Sequence, residues 1–170
     1  LKSKEKKVIL AIETSCDETA LCVLEASGMA EKPKFKILAN EIASQIEMHR
    51  EYGGVFPAIA KREHQIALPE LLEKILKKLK VKNNKPNFDL IAVTVGPGLE
   101  PALWVGITFA KALAEVWNLP LIPVNHMEGH LVSSILRKDN KVNLIDFPAM
   151  SLLVSGGHTE IIYAKSLNNY

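Results

Sequence analysis

Two histidines four residues apart, His126 and His130 in the stretch PVNHMEGHL from Pro123 to Leu131, are the residues of this chain best placed to do chemistry. On a helix they fall one turn apart on the same face, so that both rings reach a single ion. Two neutral imidazoles at that spacing make half of a metal site. Glu128 lies about 200° around the helix from either histidine, at about 100° per residue, and does not easily share their ion. Its alternatives are to bond a group behind the metal, to orient a substrate, or to face solvent. A zinc peptidase of the H-E-x-x-H type needs a glutamate directly after the first histidine, and Met127 stands there instead. From spacing alone, the competing reading is of two ordinary polar residues at a helix start.

Two polar turns are the other candidates. Ser155, Gly156 and Gly157 stand between two strand-like runs, where glycine lets consecutive backbone N–H groups point at one anion. Taken alone, such a segment is equally a plain hairpin turn. ETSCDET, Glu13 to Thr19, offers the hydroxyls of Thr14, Ser15 and Thr19, with Asp17 as a partner for a cation or water. Cys16 in this turn has no histidine beside it in sequence, and packing explains it at least as well as a nucleophilic role. His49 and His64 are not expected to be ligands, while His158 adjoins the glycine turn and is a candidate cleft residue.

The elements that must position these residues follow from hydrophobic periodicity. Val8 to Ile12, Ala20 to Ala26 and Phe35 to Ile42 read as three consecutive antiparallel strands. Leu68, Leu71, Leu72, Ile75, Leu76 and Leu79 recur at helical spacing within a helix from about Pro57 to Lys80, with Glu70–Lys74 and Glu73–Lys77 as i,i+4 pairs on its polar side. Pro69 predicts a kink or break near Leu68. After a polar linker, Asn83 to Asn87, the segment Asp89 to Gly96 reads as a buried strand. A GPGLEP turn leads into a helix from Pro101 to Trp117, apolar nearly all round and so expected to be sandwiched between layers, with Gly106 permitting a close approach to the sheet. Leu121 to Val124 is a further short strand, followed by a helix from His126 to Arg137. Two strand-then-helix units in succession imply parallel pairing in part of the sheet. The chain closes with a strand, the Ser-Gly-Gly turn and a second strand.

Composition sets outer bounds. With 170 residues, 48% of them hydrophobic and 24% charged, the chain has the profile of an ordinary globular domain or one lobe of a larger protein. No apolar run approaches the length of a transmembrane helix, and LKSKEKK leads into the first strand without the apolar region that export requires, so the expected compartment is the cytoplasm. Cys16 and Cys22 are expected to be reduced thiols. A net charge of +2 says little about partners. The lysine runs at positions 2 to 7 and 77 to 85 could meet phosphates, although solvated surface explains them as well.

The segments AIETSCDETA, GGVFPAIAKREH, VGPGLEPALWVG, VNHMEGHL and LLVSGGHTE, in that order, closely resemble the TsaD family of tRNA threonylcarbamoyl transferases. The resemblance covers nearly all of the chain from Ile9 to Ile161. It implies an α/β fold of the actin-like, Hsp70-like ATPase (ASKHA) class, a mixed sheet flanked by helices, with two lobes facing each other across a nucleotide cleft. Residues 1–150 would be the N-terminal lobe and 151–170 the start of the second, because family members are about twice this long. The activity implied is transfer of the threonylcarbamoyl group from threonylcarbamoyl-adenylate to N6 of the adenosine 3′ of the anticodon, in tRNAs that read codons beginning with A.

By the same resemblance, His126 and His130 are metal ligands for iron or zinc, and Leu153, Val154, Ser155, Gly156 and Gly157 form the segment that binds the adenylate or ATP, with Mg as a possible companion ion. Thr14, Ser15, Asp17, Glu128 and His158 are possible cleft residues. The metal would act as a Lewis acid on the threonylcarbamoyl group, and N–H groups at Gly156 and Gly157 would hold the phosphate that leaves. The family's third protein ligand is an aspartate near the C-terminus, in a region outside these 170 residues, so this chain alone is expected to be inactive. Glu100-Pro101 departs from the small or apolar pair usual after GPGL. Implied partners are tRNA, a TsaB-like paralogue and a TsaE-like ATPase. Rival readings are a noncatalytic TsaB-like pairing module, which would lack the histidine pair, and an ATPase or kinase on the same fold.

Overall fold

The computed structural model describes residues 6–29, 32–81, 86–133, 146–154, 159–166 and 169–170. Its centre is a five-stranded mixed sheet in the order β3-β2-β1-β4-β5. Strands β1 (Lys7–Glu13), β2 (Glu18–Met29) and β3 (Lys32–Ser44) form the expected antiparallel meander. β4 (Leu90–Gly96) and β5 (Leu121–Asn125) then add in parallel to β1. β2 and β3 run several residues beyond their expected ends, and β3 is an outer strand of the sheet. Between Val23 and Leu24 the β2–β3 register shifts, leaving Leu38 of β3 without a partner of its own.

Alternation along the strands decides which face is covered. Leu10 and Ile12 of β1, Leu21 and Val23 of β2, and Ile91 and Val93 of β4 point to one face and are buried there. Helices α2 (Pro57–Lys78) and α3 (Glu100–Trp117) pack on that face and on each other. α2 contributes Leu68, Leu71 and Ile75 to the core, the stripe expected from its periodicity, and α3 contributes Val105 and Ala110. Phe88 and Trp117 close the core with rings edge to face at 5.8 Å. Each such fully buried aliphatic side chain contributes about 1.5–3 kcal/mol relative to exposure.

Two expectations are corrected. α2 runs unbroken through Pro69. Pro69, Gln65, Ile66 and Glu70 all lie on its exposed side, where solvent can take up the backbone bond that proline cannot make. α3 is not sandwiched among the described residues: Ala102, Leu103, Val105, Gly106 and Ala110 are buried, whereas Trp104 and Val116 are exposed. Its apolar composition therefore exceeds what this sheet buries. The exposed side of α3 and the neighbouring side of α2 form an open groove, lined by Lys61, Gln65, Trp104, Thr108 and Phe109 among others.

Two short elements complete the described fold. α1 (Ile46–His49) and the 3-10 turn Arg50–Tyr52 link β3 to α2. α4 (His126–Ser133) follows β5 directly, and the rest of the helix expected to Arg137 lies outside the described residues. β6 (Ala149–Val154) and β7 (Thr159–Ala164) form a separate two-stranded antiparallel sheet. No described helix is long and apolar enough to cross a membrane.

Candidate functional site

β1, β4 and β5 are parallel, so their carboxyl ends meet at one edge of the sheet. Ligands of open α/β sheets bind at such an edge, outside the carboxyl ends of the strands. Here the edge gathers the turn after β1, the GPG loop after β4, and the start of α4 after β5. The GPG loop and the turn are in close contact. Leu99 N–H donates to Ser15 O at 2.7 Å, and a Cβ placed on Gly98 would stand 2.6 Å from that same oxygen. Thr14 Oγ1 donates to Ala102 O of α3 at 3.0 Å. Gly106 lies against this threonine, where a Cβ would collide with its hydroxyl, so the close approach it permits is of α3 to the turn after β1 rather than to the sheet.

α4 is started by its own cap: Asn125 Oδ1 accepts from Met127 N–H at 2.8 Å and from Glu128 N–H at 3.3 Å. This places His126 in the first turn and His130 one turn on. Their rings approach with Nε2 facing Nε2 at 3.0 Å. Behind His126, Nδ1 stands 3.2 Å from Ser15 Oγ and 3.4 Å from Glu13 Oε2. Glu13 is itself held by Ser15 N–H at 2.6 Å on Oε1 and by the Thr94 hydroxyl on Oε2. Burial alone would raise the Glu13 carboxyl, but the bonds from Ser15 and Thr94 and the nearby His126 outweigh it and hold it below its ordinary range. An ionised carboxylate can only accept. The carboxylate beside Nδ1 of His126 favours the tautomer with the proton on that nitrogen and the lone pair on Nε2.

The donor set fits one edge of a metal site. With metal–nitrogen distances of about 2.0–2.1 Å, neighbouring nitrogens stand about 3.3 Å apart around a tetrahedral ion and about 2.9 Å apart around an octahedral one. The 3.0 Å between the two Nε2 atoms falls in that range. Among the described residues no cluster of three or more His, Cys, Asp or Glu could hold an ion.

The remaining candidates are placed as follows. Thr14 and Ser15 are both buried in the turn, and Asp17 is half-buried, with its carbonyl accepting from Gln45 N–H at 2.9 Å. Glu128 is exposed and accepts from the Tyr170 hydroxyl. Leu153 and Val154 end β6, the first half-buried and the second exposed. Ser155, Gly156, Gly157 and His158 lie outside the described residues. Cys16 and Cys22 are free thiols. Desolvation and the neighbouring Asp17 carboxylate push the Cys16 thiol up to about 11, which leaves it protonated and a poor nucleophile. Glu100 opens α3 and lines the α2–α3 groove with Lys61. His49, the last residue of α1, and His64 in α2 are both buried.

Sequence reading passed over two residues of this arrangement, Glu13 and Thr94. Glu13 is at the end of a strand and Thr94 near the end of another 81 residues later. Only the parallel register Ile12↔Val93 makes the next residues, Glu13 and Thr94, neighbours on the same face. The one available signal was a carboxylate standing directly before Thr14 and Ser15 after an apolar run.

Comparison with known proteins agrees with the resemblance. The fold is similar to that of a Pseudomonas aeruginosa protein described as similar to peptidase YeaZ, with a TM-score of 0.48 and 19% identity over 70% of this chain and 43% of that chain. It is also similar to Thermus thermophilus RuvC, with a TM-score of 0.47 and 13% identity over 78% of this chain and 74% of that one. The tRNA N6-adenosine threonylcarbamoyltransferases of Fusobacterium nucleatum and Enterococcus faecalis are each 45% identical over 96% of this chain. The chain spans less than half of their length, 44% and 43% respectively. Residues 36–170 match the family model TsaD, tRNA N6-adenosine threonylcarbamoyltransferase. The chain belongs to the TsaD family.

Proposed function

We propose that this chain supplies the metal-holding half of a transfer site, which moves threonylcarbamoyl from threonylcarbamoyl-adenylate to N6 of the adenosine 3′ of the anticodon in tRNAs reading ANN codons. One observation carries the reading: the Nε2 atoms of His126 and His130 converge to 3.0 Å while Glu13 and Ser15 hold the opposite nitrogen of His126. Iron or zinc suits imidazole donors, and when bound it would supply Lewis-acid polarisation of the group being transferred. Glu13 fixes the tautomer that leaves His126 a lone pair. Thr94 and Ser15 keep Glu13 ionised and in place. Leu153 and Val154 at the end of β6, with Ser155, Gly156 and Gly157 following in sequence, are the residues assigned to the adenylate or ATP, and Mg would accompany a bound nucleotide.

The separate β6–β7 sheet supports a lobe boundary near residue 150, with residues 151–170 opening a second lobe. tRNA is the macromolecular substrate in this reading, a TsaB-like paralogue and a TsaE-like ATPase are its protein partners, and the compartment is the cytoplasm. The exposed Trp104 and the α2–α3 groove suit contact with a partner of that kind.

Replacing both His126 and His130 with Ala in the full-length protein tests the proposal. Metal content and transfer of labelled threonylcarbamoyl to tRNA are both expected to be lost, and retained transfer would refute the metal role. ATP hydrolysis measured alongside separates the reading from an ATPase or kinase on the same fold. Residues 1–170 alone are expected to be inactive, and robust transfer by them would overturn the assignment of the missing wall to the rest of the protein.

A further inference from the structure

The turn that carries Ser15 is fixed at all four of its residues. Thr14 is tied through its hydroxyl to Ala102 O, and Ser15 O accepts from Leu99 N–H. Asp17 O accepts from Gln45 N–H, and Cys16 O lies 3.0 Å from His64 Nε2. Three of these ties use backbone amides or a hydroxyl. The fourth uses an imidazole that is fully buried in α2, 48 residues from its partner.

A carbonyl oxygen only accepts, so His64 Nε2 carries the proton and Nδ1 is an acceptor. Nδ1 meets Thr19 Oγ1 at 2.7 Å and Gln45 Nε2 at 3.3 Å, both able to donate. Gln45 is then set by His49, whose Nε2 is 3.0 Å from Gln45 Oε1 and whose Nδ1 accepts from Phe56 N–H at 3.3 Å. His64 is thus the hub of a buried network linking β2, the residue before α1, and α2 to the turn. No buried side-chain nitrogen or oxygen among the described residues lacks a partner.

We propose that His64 is a positioning residue for the histidine pair: its Nε2–H bond to Cys16 O sets the turn so that Ser15 and Glu13 present the correct groups to Nδ1 of His126. The chain of contacts is short. Cys16 O is one peptide from Ser15, whose N–H holds Glu13 Oε1 and whose hydroxyl meets His126 Nδ1. Without the tie, the Cys16 carbonyl is released while Thr14, Ser15 and Asp17 stay held, so the peptide next to Ser15 can turn and disturb the groups that face His126 Nδ1. Groups that orient a metal-binding histidine from behind are commonly worth 10–100-fold in affinity. Acting one step further out, His64 falls at about the lower end of that range.

The inference rests on the metal-site reading for its purpose, but its first readout needs no metal. In the metal-free full-length protein, the imidazole 15N shifts of His126 report which nitrogen is protonated. Wild type is expected to show the Nδ1–H form. His64→Phe, which removes both ring bonds, should give a mixture of tautomers and about tenfold weaker zinc binding. His64→Gln can still donate to Cys16 O from the position of Nε2 and should keep the wild-type tautomer. Should His64→Phe fail to fold, Thr19→Val takes away the nearer donor to Nδ1 of His64, leaving Gln45 Nε2 as its partner, and should loosen the ring enough to shift His126 partly towards a mixture. A wild-type tautomer in both His64→Phe and Thr19→Val, or in Thr19→Val alone where the other does not fold, would overturn the proposal. Equal tautomer shifts in His64→Phe and His64→Gln would do so as well. Absence of zinc binding in wild type would sink the metal-site reading instead, leaving the tautomer result to stand or fall separately.

Discussion

Two antiparallel hairpins, β1–β2 and β6–β7, differ sharply in what covers their strands. In β1–β2 the strands bury Leu10, Ile12, Leu21 and Val23 under α2 and α3, and all four turn residues are tied to other elements. In β6–β7 the side chains of Met150, Leu152, Val154, Ile161 and Tyr163 are exposed, five large groups on two six-residue strands. An isolated two-stranded hairpin is marginal in water, so these side chains call for cover. The β1–β2 hairpin is therefore held within this chain, while β6–β7 depends on further packing.

The difference can be broken or sharpened by experiment. The largest effect is expected in the core of the first hairpin: Leu21→Ala should cost about 2–5 kcal/mol of unfolding free energy in denaturant titrations, because the site is fully buried. Next comes Glu13→Gln, which replaces the ionised partner of His126 with an amide and should weaken zinc or iron binding about 10–100-fold, read by competition with a chromophoric chelator. Unchanged affinity would remove Glu13 from the site.

A smaller effect concerns pH. Burial lowers the His64 imidazole below its usual value of 6.5, against the pull of Cys16 O and the Glu13 and Asp17 carboxylates and with the help of His49. The folded state thus holds His64 neutral where the unfolded chain takes up a proton. That contribution is complete above pH 6.5 and is lost as pH falls from there towards the lowered native value. The melting temperature of wild type should drop over that window, and His64→Gln should flatten the drop. An identical profile in the variant would show that His64 does not carry it. The smallest effect belongs to the second hairpin in the 170-residue chain, where Leu152→Ala, at a side chain 62% exposed, should change stability by no more than about 0.5 kcal/mol. A cost matching that of Leu21→Ala would erase the contrast.

Much of the fold was legible because periodicity reports burial directly. The apolar stripe of α2, the uniform run in β4 and the strand-then-helix order each led to an element of the right type. What escaped depended on the partner. Pro69 breaks a helix only where the lost bond cannot be made up, and its exposure is a tertiary fact. The apolar circumference of α3 was read as burial on all sides, yet Trp104 and Val116 stay exposed among the described residues. At the site, His126 and His130 were found from spacing because a helix turn fixes their separation locally. Glu13 and Thr94 were not, since their meeting depends on parallel register across 81 residues. His64 was set aside as a ligand, and nothing in its sequence neighbourhood could have indicated a bond to Cys16.

The outer strand β3 has a bearing on how this molecule meets others. Thirteen residues long and at the rim of the sheet, it would ordinarily offer a row of open backbone groups on which a foreign strand could zip. Pro33 removes one N–H from that row, the unpartnered Leu38 interrupts its spacing, and Lys34 and Lys36 set positive charge along it. A second β3 approaching from solvent would meet like charges and a broken ladder. Self-association through this rim is thereby discouraged.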